Sequence, residues 1–112
     1  MKKVKDINGN IIKIGDKVKI IDSGKTFSTY IEFFYYNNLN IKNFKYNVGF
    51  VPDNNIIGKI LFIGKHEHKY YGNILLIKIF ENGYDCLIKS DAVEFISRNY
   101  LRNKIAKIRK LI

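Results

Sequence analysis

Three short stretches of the chain hold residue types that could do chemistry, and the first is Gly24-Lys25-Thr26. These are the last residues of a phosphate-binding loop, in which backbone amides wrap a phosphate and the lysine neutralises it. Such a loop also needs a glycine five residues before Gly24, and the chain has Lys19 there. The segment moreover follows the first strand of a β-rich chain and does not belong to a strand–helix unit. We therefore predict no nucleotide-binding loop.

The other two stretches hold the soft metal ligands and the one thiol. His66 and His68 would lie on the same side of an extended segment, but a zinc site needs three or four ligands, and Cys86 is the only other soft one. We predict no metal site and a solvated loop. No histidine lies near Cys86 in sequence, which predicts a buried structural thiol. Because the ten carboxylates are scattered, the chain is predicted to be non-enzymatic and to need no cofactor.

The charge of the chain is unevenly distributed. The 112 residues carry a net charge of +10, and residues 97–112 hold six Lys or Arg and no acid, whereas residues 58–96 are neutral. One explanation is a binding site for a polyanion. The other is an A/T-rich coding sequence, which would produce the thirteen Asn, the many Ile and Tyr, and the preference for Lys over Arg. The sequence leaves both explanations open.

Composition also bounds the class of protein and its compartment. The length suits one domain with a single core. One cysteine excludes an intrachain disulfide and favours a reducing compartment. Residues 1–6 lack the apolar stretch of a signal peptide, and no run approaches the roughly 18 apolar residues of a membrane span. We expect a cytoplasmic protein that does not enter a membrane.

Alternating apolar residues and turn signals predict a β-rich chain. Asn8-Gly9 predicts a type I′ turn in a short hairpin over residues 6–11, and Asn82-Gly83 gives a second hairpin signal. In the first long strand, Val18 and Ile20 are expected to face the core. A single turn is expected at Ser90–Ala92. The predicted strands are Lys17–Asp22, Gly58–Gly64, Ile74–Phe80, Tyr84–Ile88 and Val93–Ile96.

The middle strands are apolar on both faces, so another element must cover the outer face of the sheet. A helix is expected from Tyr30 to about Asn38, because Thr29 and Glu32 have the spacing of a capping box. On this helix Ile31, Phe34 and Tyr35 form one face, and Tyr30, Phe33 and Tyr36 form a second. The second face is either buried beneath a loop that carries Phe44, Tyr46 and Phe50, or exposed for a partner.

A second helix is predicted over roughly residues 99–112. Leu101, Ile105, Ile108 and Ile112 fall within a narrow stripe, opposite a basic side. This helix is expected to dock on the rest of the chain, pair with a second copy in a homodimer, or lie on a polyanion. The candidate partner-binding residues of this segment are Arg98, Arg102, Lys104, Lys107, Arg109 and Lys110.

The order of these elements carries a resemblance. A Gly15-Asp16-Lys17-Val18 strand opening, a long insertion, the strand from Gly58, an Asn-Gly hairpin and a closing Ala92–Ile96 strand follow one another. Over residues 11–96 the chain resembles the SH3-like barrels of bacterial and phage proteins, including KOW-type domains. The segment 21–30 is similar to one seen in small phage and prophage proteins. The resemblance implies a mainly β SH3-like barrel over 1–97, with a helical insertion at about 23–57 and a basic helix over 98–112.

Three hypotheses of function follow. The first is a small non-enzymatic binding protein of phage or mobile-element type. It would occupy a surface of a host protein or nucleoprotein, as anti-defence inhibitors such as anti-CRISPR proteins do, with Tyr30, Phe33, Tyr36 and the basic tail as contacts. The second is a KOW-like module that binds RNA or DNA, with phosphate contacts from the basic tail and from Lys17, Lys19 and Lys25, and with exposed Tyr or Phe stacking on bases. The third is a structural or accessory phage protein. The chain is expected to be a monomer or a homodimer.

Overall fold

A computed structural model of the chain describes residues 3–68 and 71–96, which form eight strands and one α-helix. The helix α1 is Tyr30–Tyr36. Single turns of 3-10 helix occur at Ser23–Lys25, Ile41–Asn43 and Ser90–Ala92. The strands are β1 (Val4–Lys5), β2 (Ile11–Ile12), β3 (Lys17–Ile20), β4 (Thr26–Phe27), β5 (Ile57–Lys65), β6 (Asn73–Ile79), β7 (Asp85–Lys89) and β8 (Val93–Ile96).

Strands β3 to β8 form one antiparallel sheet in the order β4-β7-β6-β5-β3-β8, while β1 and β2 pair separately. The mainly-β prediction is therefore confirmed. The sheet is open, because in the described residues the edge strands β4 and β8 each pair with one neighbour and not with each other. Strand β4 has only two residues, which gives it little length for a second ladder. The closed SH3-like barrel is thus not shown by these strand pairings.

The central strands are buried on both faces, as their sequences predict. On one face, Val18 and Ile20 of β3 belong to a core with Leu75 and Ile77 of β6 and with Cys86. On the other face lies a second core, in which Leu76 packs with aromatic side chains from α1 and the segment after it. The insertion between β4 and β5 is therefore the element that covers the outer face of the sheet.

Both predicted hairpins form, but with wider loops than expected. Gly9 and Gly83 have φ of +83° and +74°, whereas the described residues with positive φ include neither Asn8 nor Asn82. A type I′ turn needs positive φ at both central residues, so that prediction is wrong for Asn8-Gly9. The reason is Asp6, whose Oδ1 accepts hydrogen bonds from the amides of Asn8 (2.9 Å) and Asn10 (2.7 Å) and holds the larger loop.

Helix α1 starts as predicted but ends two residues early, at Tyr36. The amide of Leu39 donates to the Phe34 carbonyl (2.8 Å) and the amide of Asn38 to the Tyr35 carbonyl (3.2 Å). With Asn38 at φ +56°, these bonds form a Schellman motif, which ends the helix. The predicted capping box is wrong, because the Thr29 side chain makes no capping hydrogen bond. Its Oγ1 lies 3.5 Å from His66 Nε2 instead.

Candidate partner-binding surfaces

One face of α1 is fixed in the second core. Tyr30 and Phe33 are each 1% exposed, and Phe34 is buried beside them. Tyr30 stacks on Tyr46 and Phe34 on Phe44, both at 4.9 Å between ring centroids. The prediction that Tyr30 and Phe33 contact a partner is therefore corrected, because this fold does not offer them at the surface. Burial beneath Phe44 and Tyr46, the other predicted possibility, is what the structure has.

Phe50, the third aromatic residue of the loop that was expected to cover α1, lies on the other side of the sheet. Phe50 contacts Tyr84 (5.6 Å between centroids) and packs against the core on the opposite face of the sheet. Of the three aromatic residues predicted to cover α1, Phe44 and Tyr46 therefore do so. The assignment of helix faces was also wrong, since Phe34 is buried whereas Ile31 and Tyr35 point outward. The helical period gives the angle between two side chains, but it does not determine which side of the helix is buried in a core.

The outward side of α1 forms an exposed apolar patch. Ile31, Tyr35 and Tyr36 are 60%, 87% and 47% exposed, and we call these three residues the helix face. Of the predicted partner contacts on α1, Tyr36 is thus the one at the surface. Glu32 and Glu67 line a shallow depression together with the two tyrosines. The helix face is therefore a group of large apolar side chains bordered by two negatively charged ones.

The helix face is held on a fixed support. At the end of α1, the Asn37 side chain donates to the Lys65 carbonyl (3.1 Å) and accepts from the Lys65 amide (3.3 Å). The side chain also donates to the Phe33 carbonyl (2.8 Å). These bonds tie α1 to the end of β5, so the tyrosines are presented from a backbone that is already ordered.

The predicted nucleic-acid lysines are not all brought together. Lys19 pairs with Glu94 (3.7 Å) and Lys25 with Asp91 (3.5 Å), in partly exposed ion pairs that are each worth at most about 1 kcal/mol. Lys17 and Lys19 lie on one face of β3, whereas Lys25 lies in the 3-10 turn after it. The amide of Gly24 donates to Asp22 Oδ1 (3.0 Å), so it is already satisfied by a carboxylate.

Sequence reasoning missed two lysines on the sheet. Lys17 lies directly opposite Lys59 on β5, and Lys59 lies directly opposite Lys78 on β6. Lys59 and Lys78 are exposed and Lys17 is half-buried. The pairing register, and not any local pattern, brings these residues together. A signal existed in the alternation of β5 and β6, where one lysine interrupts each apolar run.

The basic segment Arg98–Lys110 and the predicted helix over 98–112 lie outside the described residues. The predictions for Arg98, Arg102, Lys104, Lys107, Arg109 and Lys110 therefore stay predictions. Among the described residues, no helix is long and apolar enough to cross a membrane.

The thiol and the half-buried histidine, which could do chemistry, pack against neighbouring side chains. Cys86 is buried as predicted, and burial together with the nearby Asp85 raises the pKa of its thiol to about 12. His66 departs from the predicted solvated loop, because it is half-buried and its ring contacts Tyr71 at 4.9 Å. Over residues 3–68 and 71–96, no group of three or more His, Cys, Asp or Glu could hold a metal ion.

Two buried carboxylates were also missed. Asp6 accepts four hydrogen bonds, one of them from the amide of Phe95, 89 residues away (2.7 Å). Asp85 is 1% exposed, and its Oδ2 accepts from the Lys45 amide (2.8 Å). Burial raises the pKa of Asp85, against the opposing effects of the Lys45 amide and the charge of Lys78. Both carboxylates tie distant segments together.

Comparison with protein-family models, with curated proteins and with solved structures finds no match for this chain.

Proposed function

We propose that this chain is a small non-enzymatic binding protein of phage or mobile-element type, with an SH3-like β scaffold. It acts by occupying a surface of a host protein or nucleoprotein, as an anti-defence inhibitor such as an anti-CRISPR protein does. The observation that carries the proposal is Tyr35, which is 87% exposed on a helix whose opposite side is locked in an aromatic core.

Exposed tyrosines on a rigid support suit protein recognition. Tyrosine is enriched among the residues that dominate binding energy, because its large ring is buried at low cost in side-chain entropy. A single exposed apolar residue needs no explanation. Here Tyr35 and Tyr36 line one depression and Ile31 lies one turn before Tyr35, on a helix whose end is fixed to β5 through Asn37. Because this backbone is already ordered, binding does not have to order it.

The charge around the helix face indicates the character of the partner surface. Glu32 and Glu67 border Tyr35 and Tyr36. A partner that buries the rings would place an apolar centre over them and basic groups at the rim, where opposite charges favour encounter. Proteins that handle nucleic acid offer such basic surfaces, which is consistent with a target in a nucleoprotein complex.

A phage plating assay tests the proposal. The chain is expressed in bacterial strains that each carry one active CRISPR–Cas system and are challenged with a targeted phage. We expect the wild-type chain to restore plating in at least one strain and Tyr35→Ala to abolish the effect. Val48→Ala is the control, since Val48 is a similarly exposed apolar residue outside the helix face. Full activity of Tyr35→Ala, or no restoration of plating in any strain, contradicts the proposal.

Affinity capture separates a protein partner from nucleic acid. The tagged chain is incubated with lysate of the strain in which plating is restored, with and without nuclease. A protein that is retained after nuclease treatment, and lost with Tyr35→Ala, is the expected target. Charge reversal of Arg102, Lys107, Arg109 and Lys110 tests the contribution of the basic tail, and unchanged activity would exclude that tail as a contact.

A further inference from the structure

The row of lysines on the sheet is a second surface, separate from the helix face. Lys17 on β3, Lys59 on β5 and Lys78 on β6 are direct cross-strand neighbours, and we call them the lysine row. Directly opposite residues in an antiparallel sheet point to the same face, with Cβ atoms roughly 5 Å apart. Three adjacent strands place the row across about 10 Å of the sheet. The three ammonium groups therefore share one face.

Acids on the face of the lysine row offset its charge only in part, because Glu94 pairs with Lys19 (3.7 Å). None of its members forms an ion pair in the described part of the chain, where the ion pairs are those of Lys19 and Lys25. Asp85 lies opposite Lys78 on β7, but it is 1% exposed and bonded to the Lys45 amide. The charge of Lys78 opposes the rise in the pKa of Asp85 that burial causes, so an ionised Asp85 offsets part of the charge at the Lys78 end of the row. Lys17 and Lys59 have no acid directly opposite them. Like charges directly opposite each other destabilise a sheet, and a bound polyanion would remove that repulsion.

An aromatic ring lies beside the lysine row. Phe80 follows Lys78 by two residues, and its amide donates to the Ile57 carbonyl (3.2 Å), so the β5–β6 ladder continues to this point. Phe80 is therefore on the same face as Lys78, and it is 50% exposed. Between Phe80 and Lys19 lies the half-buried Ile57. The face thus has one basic row and, next to it, an apolar row that ends in an exposed ring.

We propose that the lysine row and Phe80 form a binding surface for single-stranded nucleic acid. The lysines contact consecutive phosphates, and Phe80 stacks on an unpaired base. This combination of a basic row with an exposed ring is what sequence-tolerant recognition of single strands requires. A duplex keeps its bases stacked inside and cannot use the ring. RNA and DNA share the phosphodiester chemistry, and the test compares them.

Fluorescence anisotropy with labelled 12-mers of U and of dT measures the affinity of the full chain. Each phosphate contact on a single strand contributes about 0.7 to the slope of log affinity against log salt. Neutralising the three lysines should lower the slope by about 2, which corresponds to about a 20-fold smaller loss of affinity between 50 and 200 mM salt. The variant is Lys17→Gln/Lys59→Gln/Lys78→Gln.

The matched control removes three exposed lysines elsewhere, Lys5→Gln/Lys13→Gln/Lys42→Gln. It has the same net charge as the lysine-row variant, so it accounts for the whole-chain charge and the basic tail. We expect the control to keep most of the salt slope. An equal change of slope in both variants, or no binding by the wild-type chain, overturns the proposal. A melting temperature at or above the wild-type value shows that the lysine-row variant is folded.

Three further arms of the same experiment test the ring and the ligand. Phe80→Ala should weaken binding about fivefold or more without changing the salt slope, because stacking is not ionic. A 12-mer duplex should bind more weakly than either single strand, and equal or tighter duplex binding would exclude a single-strand surface. Similar affinity for U and dT identifies the shared backbone as the ligand, and a preference identifies the sugar that fits better. Tyr35→Ala should bind like the wild type, which separates this surface from the helix face.

Discussion

Replacing Asp6 with asparagine tests how the chain is held together. Oδ1 of Asp6 accepts from the amides of Asn8 and Asn10, and Oδ2 accepts from the amide of Phe95 (2.7 Å). Asparagine keeps one oxygen and places an NH₂ group against the second set of donors. The variant therefore loses one of the bonds that join the first hairpin to β8, while the bond from the Ile7 amide to the Val93 carbonyl (3.0 Å) remains.

The size of the effect follows from these bonds. A buried amide left without an acceptor costs about 1–3 kcal/mol, and hydrogen bonds to an ionised group are worth more than neutral ones. We expect Asp6→Asn to lower the free energy of unfolding by about 2–4 kcal/mol. At about 4 °C per kcal/mol for a chain of this size, the melting temperature should fall by roughly 8–16 °C.

Urea titration at pH 7 measures this free energy, with Asp53→Asn as control. Asp53 is exposed, and the same change of charge there should cost less than about 0.5 kcal/mol. Equal stability of the two variants would show that the Asp6 carboxylate does not hold β8.

The pH dependence gives a second check of the same reasoning. Burial alone would raise the pKa of Asp6, but the hydrogen bonds from Phe95, Asn10 and Asn8 outweigh it and hold the pKa below its ordinary value of 3.8. A group with a lowered folded pKa contributes its stability above the unfolded pKa and loses it as the pH falls. The gap between the wild type and Asp6→Asn should therefore be constant above about pH 5 and shrink below 3.8. A gap that does not change down to pH 3 would contradict the assigned cause.

Three further predictions concern the sheet and the thiol. Lys59→Gln should raise the free energy of unfolding by about 0.5 kcal/mol at low salt, because it removes two opposite like-charge pairs, and urea titration in 1 M salt should show no gain. Gly58→Ala should lower the free energy of unfolding by about 1–3 kcal/mol, since the new Cβ would lie 2.3 Å from Ile77 Cγ2. Gly49→Ala is the control: its new Cβ would have its nearest contact at 3.4 Å, and the variant should melt like the wild type. Cys86, with a thiol pKa of about 12, should react with iodoacetamide at pH 8 about 100-fold or more slowly in the folded chain than in urea; equal rates would contradict its burial.

The strands were predictable because their signals are local. Alternation identified β3, and Asn82-Gly83 placed the β6–β7 hairpin, since a glycine at positive φ leaves little choice of loop. Apolar residues on both faces of β6 also predicted that something covers the sheet. Strand β4 was missed because two residues, Thr26 and Phe27, carry no period, and only their pairing with β7 defines them.

The surfaces were less predictable because they depend on contacts between distant segments. The lysine row needs the register of β5 against β6, which shifts at a bulge between Ile60 and Phe62, and no local pattern reports that shift. The exposure of Tyr35 depends on which side of α1 meets Phe44 and Tyr46. The role of Asp6 depends on an amide 89 residues away. Each of these features depends on tertiary contacts, which a residue's neighbours in sequence do not determine.

The pairing of β3 with β8 has a consequence for biosynthesis. Strand β3 lies between β5 and β8 in the sheet, so its second edge stays open until Val93–Ile96 have left the ribosome. The hydrogen bond from the Phe95 amide to the Asp6 carboxylate also cannot form until this segment has been synthesised. Because chains emerge from the N-terminus at about 5–20 residues per second, the early strands spend several seconds with an unpaired edge. During that interval the nascent chain is exposed to chaperones and to aggregation, and the rate at which residues 21–96 are translated sets how long the exposure lasts.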